Sequence, residues 1–420
     1  MPARRSPRLT PAAAAVITVV LVAFLVHAQA GASKNSPTAA PPTGSAAPSR
    51  AAAGACSACV VPSPTSTSGA SAYEADRTTA NPHLFAGQTM VYATHGFTAA
   101  QVAAIRAQVH TPLVPVTSSE QLFASGKSGY PYVDVDTMLA DPNAYAAAAG
   151  VPALAAEMAA GVVLATDEAR LRGARTGTSL RLANGKSVRV SAVVDAHQIG
   201  GHEMATSLSI LQPAAGTDPD YVLIGGSLTT AAVTTAAHRA FPGLAVRVRS
   251  HTANGYMSSA DTVLTQLQTK VQFGEFAFRP ATGSSSAIIP DPGWVQAHLQ
   301  TKHVTQLGTV TCNKAILAPL VAAMTEITAR GLGSMINTAD FQYEGGCWSP
   351  RVTRAVSGGI LSSHSWGLAV DINVAANPLG GKPRQDPRLV AIMAAHGFAW
   401  GGRFLRPDGA HFQWVGSIPH

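Results

Sequence analysis

The sequence predicts an α+β fold for the C-terminal part of the chain, with a separate mixed α/β domain before it. Two short strands of alternating apolar and polar residues, Leu368–Asn373 and Ala410–Trp414, indicate a small antiparallel sheet. Two helices with clear ends lie before and between these strands, and helices packed on such a sheet make a layered domain. Short β-branched runs that alternate with helical stretches predict the mixed α/β domain.

Residues 84–280 carry the mixed α/β pattern. Helical stretches are predicted at Thr98–Gln108 and Thr229–Ala240, and Asn184-Gly185 is a two-residue hairpin signal. The strand candidates are Thr89–Thr94, Gly161–Thr166, Ser187–Val194, Tyr221–Gly225 and Leu244–Arg249.

Residues 281–420 contain the two helices of the α+β domain. Asn313 is the predicted N-cap of the first helix, which ends near Gly331. Asp386 is the N-cap of the second, a proline follows in its first turn, and Gly397 ends it. The buried stripes are Ile316, Leu320, Met324 and Ile327 in the first helix, and Leu389, Ile392 and Met393 in the second.

Residues 1–30 have the pattern of a signal peptide. Three arginines precede the apolar run Ala12–Val26, which is shorter than the roughly 18–20 residues of a membrane span, and Ala28-Gln29-Ala30 is a small-x-small cleavage site. Residues 31–83 are rich in Ala, Ser, Thr and Pro, so a disordered linker is predicted. We expect a secreted or extracytoplasmic, wall-associated protein, membrane-anchored if the leader stays uncleaved.

The net charge and the cysteines agree with export. The formal charge of +7 falls to +4 without the three leader arginines, a mild positive balance that suits anionic wall polymers and does not suggest nucleic acid. Of four cysteines, Cys312 and Cys347 are predicted to form a disulfide, with a zinc-binding pair as the alternative. Cys56 and Cys59 lie in the linker and can pair with each other, and Cys56 is too far from the apolar run for a lipid anchor.

Two segments of the α+β domain carry the residues of a metal site. One runs from Ser362 through His364 to Asp371, and the other from Asp408 to His411. Because side chains alternate along a strand, Asp371 and His411 each point away from the apolar core. If the two strands are neighbours, His364, Asp371 and His411 converge on one point.

Two imidazoles and one carboxylate are a matched ligand set for catalytic Zn²⁺ and leave a fourth position for a water that the metal acidifies. Asp408 lies three residues before His411 and reaches that water if the intervening Gly-Ala makes a tight turn. A carboxylate that is near the metal but not bound to it can take the water's proton and return it to the leaving amine. The pattern therefore predicts a zinc-dependent hydrolase.

Both segments resemble one enzyme family. Ser-x-His-x-x-Gly-x-Ala-x-Asp at 362–371, followed by Asp-x-x-His at 408–411, resembles the zinc D-Ala-D-Ala carboxypeptidase and L-Ala-D-Glu endopeptidase family. Trp-Gly-Gly at 400–402 and Gly-Cys-Trp-Ser-Pro-Arg at 346–351 resemble its endolysin-like branch. The likeness covers roughly residues 309–414.

The resemblance implies a zinc peptidase that cuts peptidoglycan stem peptides, as a D,D-carboxypeptidase or as an L-Ala-D-Glu endopeptidase. It implies Asp408 as the catalytic base and, as zinc ligands, His364, Asp371 and His411. The alternative for the whole chain is a non-catalytic wall-binding or scaffold protein. The intact base argues against that alternative, because a binding module needs no base beside a metal.

The same resemblance implies an upstream arginine that stabilises the charged tetrahedral intermediate. Arg351 is favoured for this role over Arg354, which then contributes to substrate binding or is solvated. Ser362 is expected to contact substrate or to orient the turn. Many relatives have an acidic residue where this chain has Arg403 and Gln413, which leaves the substrate preference open.

Residues 84–280 have no predicted catalysis. His197, His202 and Glu203 lie in the segment HQIGGHE, but two histidines five apart across a Gly-Gly turn do not share a helical face, so a surface loop is predicted there. Residues 161–194 resemble part of the extracytoplasmic core domain of transporter-type permeases, through one strand-helix-hairpin stretch without a chemical motif. Three roles are open for this domain: it holds the peptidase inactive, positions it, or contacts a membrane or wall partner.

Overall fold

The computed structural model describes residues 88–93, 96–213, 218–250, 264–337, 346–352, 361–404 and 407–416. All of these residues belong to one compact unit, Pro64–His420. No helix within these ranges is both long and apolar enough to cross a lipid bilayer. The predicted leader, the predicted linker with Cys56 and Cys59, and Arg354 lie outside the described residues.

A large mixed sheet occupies the middle of the described chain. Its strands are β1 (Thr89–Ala93), β2 (Leu113–Lys127), β3 (Tyr130–Leu139), β4 (Val162–Ala165), β5 (Ser179–Arg181), β6 (Ser187–Val194), β7 (Met204–Thr206), β8 (Tyr221–Ile224), β9 (Val246–Ser250), β10 (Phe278–Pro280) and β11 (Ile288–Pro290). In the described ranges their order is β5-β6-β4-β7-β3-β2-β8-β1-β9, and β10 pairs with both β3 and β11. Parallel pairing of β3 with β7 and of β4 with β6 makes the sheet mixed, and the predicted α/β class is confirmed.

Helices pack against this sheet. They are α1 (Ala99–Val109), α2 (Pro142–Ala149), α3 (Ala153–Ala160), α4 (Thr166–Arg172), α5 (Thr230–Ala240) and α6 (Gln266–Phe273). At the start of α1, the Thr98 hydroxyl accepts from the Gln101 N–H and the Gln101 side chain accepts from the Thr98 N–H, a reciprocal cap that satisfies two free donors. The core that α1 and α5 share with β1 and β8 includes Phe97, Ile105, Val222, Val233 and Phe241.

The predicted Asn184-Gly185 hairpin is confirmed, whereas the longest hairpin of the sheet was missed. β5 and β6 pair antiparallel on either side of the turn, where Gly185 has a φ of +85°. The hairpin of β2 and β3 carries buried polar side chains such as Glu120 and Asp134, which interrupt the apolar alternation of an ordinary strand. The sequence pattern therefore does not indicate β2 or β3.

The C-terminal part has the predicted α+β architecture. Its elements are α7 (Pro292–His298), β12 (Leu299–Val304), β13 (Gly308–Asn313), α8 (Lys314–Ala329), β14 (Ala369–Asp371), α9 (Pro387–Ala395), β15 (Phe398–Trp400) and β16 (His411–Trp414). β12 and β13 form a two-stranded sheet, and a three-stranded antiparallel sheet has the order β14-β16-β15. The small antiparallel sheet with packed helices is confirmed.

The apolar core of this part lies between α8, α9 and the two small sheets. Asn313 and Asp386 cap α8 and α9 as predicted, and the predicted stripes of both helices are buried. The core continues into residues 273–278, and the Trp366 indole N–H donates to the Gly274 carbonyl at 3.1 Å. β10 and β11 pair across the predicted boundary at residue 280, and the division into two domains stays a prediction.

The prediction of a surface loop at HQIGGHE is wrong for the second half of this segment. His197 is exposed, but His202 and Glu203 are buried. The His202 ring nitrogens lie 3.0 Å from the Asp136 carboxylate and 3.0 Å from the Tyr221 hydroxyl. His202 is buried after the glycine pair because neighbouring strands provide polar partners for its imidazole. The spacing rule for metal ligands takes no account of such partners.

A buried acidic cluster lies beneath this loop, between α4, α6 and the sheet. Lys270 of α6 forms an ion pair with Glu203 at 2.8 Å and also donates to the backbone carbonyl of Asp134. The acidic cluster consists of Glu120, Asp134, Glu168, Glu203 and Glu275, with Lys270 and Arg172 as its cations. Burial raises the pKa of the Asp134 carboxyl to about 7, which the hydrogen bond with Glu120 and the charge of Lys270 only partly oppose.

Candidate metal centre

Three predicted ligands meet at the small three-stranded sheet. His364 lies on the 3₁₀ turn Ser363–Trp366, directly before β14, while Asp371 ends β14 and His411 begins β16. β14 and β16 pair antiparallel with Asp371 opposite His411. Side chains alternate along each strand, and Val370 and Phe412 are buried in the core. The Asp371 carboxylate and the His411 imidazole therefore lie on the other face of the sheet and point to the same place.

The three ligand atoms form a compact triangle. His364 Nε2 lies 3.2 Å from Asp371 Oδ1 and 3.2 Å from His411 Nδ1, and the last two atoms are 3.0 Å apart. A tetrahedral ion with bonds of about 2.0–2.1 Å places its ligand atoms about 3.3 Å from one another. Within the described residues, His364, Asp371 and His411 are the one group of histidine, cysteine and acidic side chains that could hold a metal ion.

Hydrogen bonds on the far side of each imidazole fix which nitrogen faces the triangle. His364 Nδ1 lies 3.2 Å from the carbonyl oxygen of Cys347, which can only accept, so Nδ1 carries the proton and Nε2 offers its lone pair. His411 Nε2 lies 3.4 Å from both Gln413 Oε1 and Ser363 Oγ, which leaves Nδ1 for the triangle. Such partners orient metal-binding histidines and raise their basicity.

The electrostatics of the triangle favour an ionised carboxylate and a neutral imidazole. Burial lowers the pKa of His364, and the nearby Asp371 charge offsets this only in part. Burial works to raise the pKa of Asp371, but the two histidines hold it well below its ordinary value. For His411 burial lowers the pKa, but the Asp371 carboxylate, together with Asp408 and Gln413, raises it above its ordinary value. Asp371 is therefore an anion, and His364 has an available lone pair.

Asp408 lies beside the triangle without belonging to it. Its backbone N–H donates to the Gly401 carbonyl at 2.9 Å, and its own carbonyl accepts from His411 N–H at 3.2 Å, so the tight turn predicted between the two residues is present. The Asp408 carboxyl is half-buried, and burial raises its pKa while the charges of His411 and Asp371 act on it in opposite directions. A carboxyl in this position can take up and release a proton next to the ligands.

The predicted arginine and the serine that opens the motif both lie near His364. The guanidinium of Arg351 donates to the Ser349 carbonyl at 3.1 Å, and its charge acts on both His364 and Asp408. The Ser362 hydroxyl accepts from His364 N–H at 3.3 Å and caps the 3₁₀ turn. Of the two expectations for this serine, orientation of the turn is the one that the contact supports.

The predicted disulfide between Cys312 and Cys347 is present, and both cysteines are buried. It joins the last residues of β13 to the segment that carries Arg351. Sequence reasoning missed the contacts that Cys347, Ser363 and Gln413 make with the two imidazoles. Gln413 shares the His411 face of β16, which was a usable signal, but no local pattern indicates that a cysteine carbonyl accepts from His364.

A family comparison agrees with this geometry. The model of a family described as D-alanyl-D-alanine carboxypeptidase matches residues 355–414, which include the triangle and Asp408 and begin after Arg351. The family resemblance is thereby confirmed for the C-terminal part, and the match indicates a peptidase. The matched stretch is a small share of the chain, so it leaves the middle sheet unassigned.

The other comparisons add little. No curated protein matches the chain. A solved domain from Porphyromonas gingivalis, of a protein provisionally named a permease, shares 14% identity and covers 41% of this chain and 87% of its own, with a TM-score of 0.21. A TM-score this low supports no statement about the fold or role of the middle sheet.

Proposed function

We propose that this protein is a zinc-dependent peptidase that hydrolyses peptidoglycan stem peptides outside the cytoplasm. The observation that carries the proposal is the triangle of His364, Asp371 and His411 inside a stretch that matches the D-alanyl-D-alanine carboxypeptidase family. Two imidazoles, one carboxylate and a nearby free carboxyl are the donor set and the base of a metallopeptidase.

The donor set fits zinc. Two nitrogen ligands and one carboxylate oxygen at the spacing of a tetrahedral face suit Zn²⁺ better than Mg²⁺ or Ca²⁺, which prefer oxygen ligands and higher coordination numbers. When bound, a zinc ion would lower the pKa of a water molecule and polarise the carbonyl of the scissile bond. The rest of the chemistry falls to the residues around the triangle.

Asp408 and Arg351 divide that chemistry. The Asp408 carboxylate accepts the proton of the attacking water and passes it to the amine that leaves, so no free proton has to diffuse to the bond. The guanidinium of Arg351 balances the negative charge that develops on the carbonyl oxygen of the substrate. Since Arg351 is bound through the Ser349 carbonyl, its charge is already in place before the substrate arrives.

The family match and the predicted leader support this substrate class. A D-alanyl-D-alanine carboxypeptidase acts on the end of a stem peptide, and an L-alanyl-D-glutamate endopeptidase acts further inside it. A signal-peptide pattern followed by a linker of residues 31–83 suits an enzyme that is exported and then reaches into the wall. We further propose that the strands and helices before residue 280 contact a membrane or wall partner.

The first experiment measures zinc content and stem-peptide hydrolysis on the full chain and on His411→Ala. We expect about one zinc per chain and measurable hydrolysis in the parent, with both lost in His411→Ala, because two ligands cannot hold the ion tightly. His303→Ala is the matched control, since His303 is exposed on β12 and should keep both properties. A parent that binds no zinc and cuts no stem peptide would overturn the proposal.

A defined pentapeptide stem identifies the bond. Release of free D-alanine indicates a carboxypeptidase, and a new amino-terminal D-glutamate indicates the endopeptidase. Retained wall binding by a parent without hydrolysis would favour a non-catalytic wall-binding protein instead.

A further inference from the structure

The turn that carries His364 is held between two backbone segments, and a disulfide joins these segments to each other. We propose that the Cys312–Cys347 disulfide positions His364 and thereby sets the metal affinity of the centre. This inference rests on the proposed function, because it concerns the same metal centre. It assigns the disulfide a role in metal binding in addition to covalent stabilisation of the fold.

The first segment holds the end of the turn. The backbone N–H of Asn313 donates to the Gly367 carbonyl at 2.9 Å, and its side-chain amide donates to the Trp366 carbonyl at 3.1 Å. Asn313 directly follows Cys312 and is itself buried, since its side chain also caps α8. The end of the turn is thus tied to the residue next to the disulfide.

The second segment holds the ligand itself. The carbonyl oxygen of Cys347 lies 3.2 Å from His364 Nδ1, and the Ser349 N–H donates to the His364 carbonyl at 3.1 Å. These contacts fix both the backbone and the ring of His364. The ring contact also selects the tautomer whose Nε2 lone pair faces Asp371 and His411.

The disulfide joins the two segments across His364. Cys312 is anchored in β13, so the bond fixes the Cys347 carbonyl relative to a strand of the core. Without the bond, the Cys347 segment has one constraint fewer, and the carbonyl is free to move away from Nδ1. His364 then loses the partner that orients its ring. Part of the free energy of metal binding is used to order the ring, so the metal affinity falls.

The consequence is that metal loading depends on an intact disulfide. A chain without this bond binds zinc weakly. Because both cysteines are buried, the folded protein resists reductants, and variants test the inference better than reducing agents do.

The test measures zinc dissociation constants by competition with a chelator of known affinity. We expect Cys312→Ala/Cys347→Ala to bind zinc about 10- to 100-fold more weakly than the parent, the range typical of lost partners of metal ligands. Addition of zinc should also raise the melting temperature of the parent more than that of the double variant, since stabilisation by a ligand follows its affinity.

A second variant keeps the disulfide and weakens the other contact. Asn313→Ser retains an N-cap oxygen for α8 but is too short to reach the Trp366 carbonyl, and we expect a loss of zinc affinity of about 3- to 10-fold. This variant tests whether the first segment's contact with the turn also sets the affinity, and Cys312→Ser/Cys347→Ser, with side chains closer in size to cysteine, replaces the double alanine variant if the latter does not fold. Ile327→Ala is the control, because it opens a cavity in the buried stripe of α8 and lowers stability without touching the turn.

The outcomes separate the inference from the proposed function. Weakened zinc binding in the cysteine and Asn313 variants, with parental affinity in Ile327→Ala, supports the inference. Parental affinity in the double cysteine variant, made with serine if the alanine form does not fold, overturns it while the zinc peptidase proposal stands. A parent with no measurable zinc affinity overturns the proposed function and this inference together.

Discussion

At the residue scale, the proposed mechanism assigns ion binding and proton transfer to different residues. His364, Asp371 and His411 have their ligand atoms within 3.2 Å of one another, whereas the Asp408 carboxyl stands outside this triangle. Burial raises the pKa of Asp408, which brings a carboxyl closer to the range where it can both accept and release a proton. Metal binding and proton transfer should therefore respond to different substitutions.

Asp408→Asn tests this separation. The amide cannot accept a proton, so we expect hydrolysis of a stem peptide to fall about 10²- to 10⁴-fold, with zinc content unchanged. Steady-state kinetics and metal analysis on the same sample measure both. Asp386→Asn is the control, because asparagine also caps helices well and α9 should keep its start. Loss of zinc in Asp408→Asn would mean that Asp408 acts as a ligand.

At the element scale, the 3₁₀ turn depends on a glycine. Gly367 ends the turn with a φ of +67°, a conformation that residues with a Cβ rarely adopt. A Cβ at this position would lie 2.8 Å from the backbone nitrogen of Asn313, closer than two such atoms can approach. The turn and β13 therefore pack against each other in a way that only glycine permits.

Gly367→Ala should destabilise the protein more than an alanine at another left-handed glycine. Gly150 has a φ of +71° with nothing near the Cβ position, so Gly150→Ala should cost about 1 kcal/mol from backbone strain alone. Gly367→Ala adds a backbone clash, and we expect a further loss of about 1–3 kcal/mol in the free energy of unfolding. Urea denaturation of both variants measures the difference, and equal losses would contradict the close packing.

At the scale of the whole molecule, the large sheet contains more buried acid than buried base. The acidic cluster has five carboxyl groups and two cations, so part of it must hold protons in the folded state. Burial raises the pKa of Glu168 to about 8 and that of Asp134 to about 7, and it raises the pKa of Glu120 well above its ordinary value, so these three carboxyls retain protons most readily. Folding is therefore coupled to proton uptake in the middle of the chain.

The stability of the parent should fall as the pH rises through neutrality. An unfolded aspartate titrates near pH 4 and the folded Asp134 near pH 7, so the folded state binds the proton more tightly and loses that advantage between these values. Asp134→Asn removes the contribution of this one group, so the loss of stability between pH 5 and pH 8 should shrink by on the order of 1–3 kcal/mol.

Urea denaturation of parent and variant at several pH values measures the effect. Asp141→Asn is the control, because Asp141 is an exposed N-cap of α2 and asparagine retains the cap. If the free energy of unfolding changes with pH in the same way for the parent and for Asp134→Asn, the proton taken up on folding is bound by another group.

Local signals in the sequence determined the helices, their caps and the inward or outward direction of strand residues in the C-terminal part. Asn313, Asp386 and the two buried stripes are where the sequence predicts them, because caps and helical periodicity depend on residues a few positions apart. The alternation along β14 and β16 likewise predicts that Asp371 and His411 leave the core. Together with the family resemblance, this was enough to predict the ligand set.

Only the tertiary structure decided how those residues meet and what supports them. The register that sets Asp371 opposite His411 depends on the pairing of strands about forty residues apart, which no local pattern contains. The carbonyl of Cys347 contacts His364 across 17 residues of sequence, which only the folded chain brings about. β2 and β3 were not predicted for the same reason. Glu120 and Asp134 are buried by partners that are distant in sequence. Without knowledge of those partners, a polar side chain is expected to be exposed.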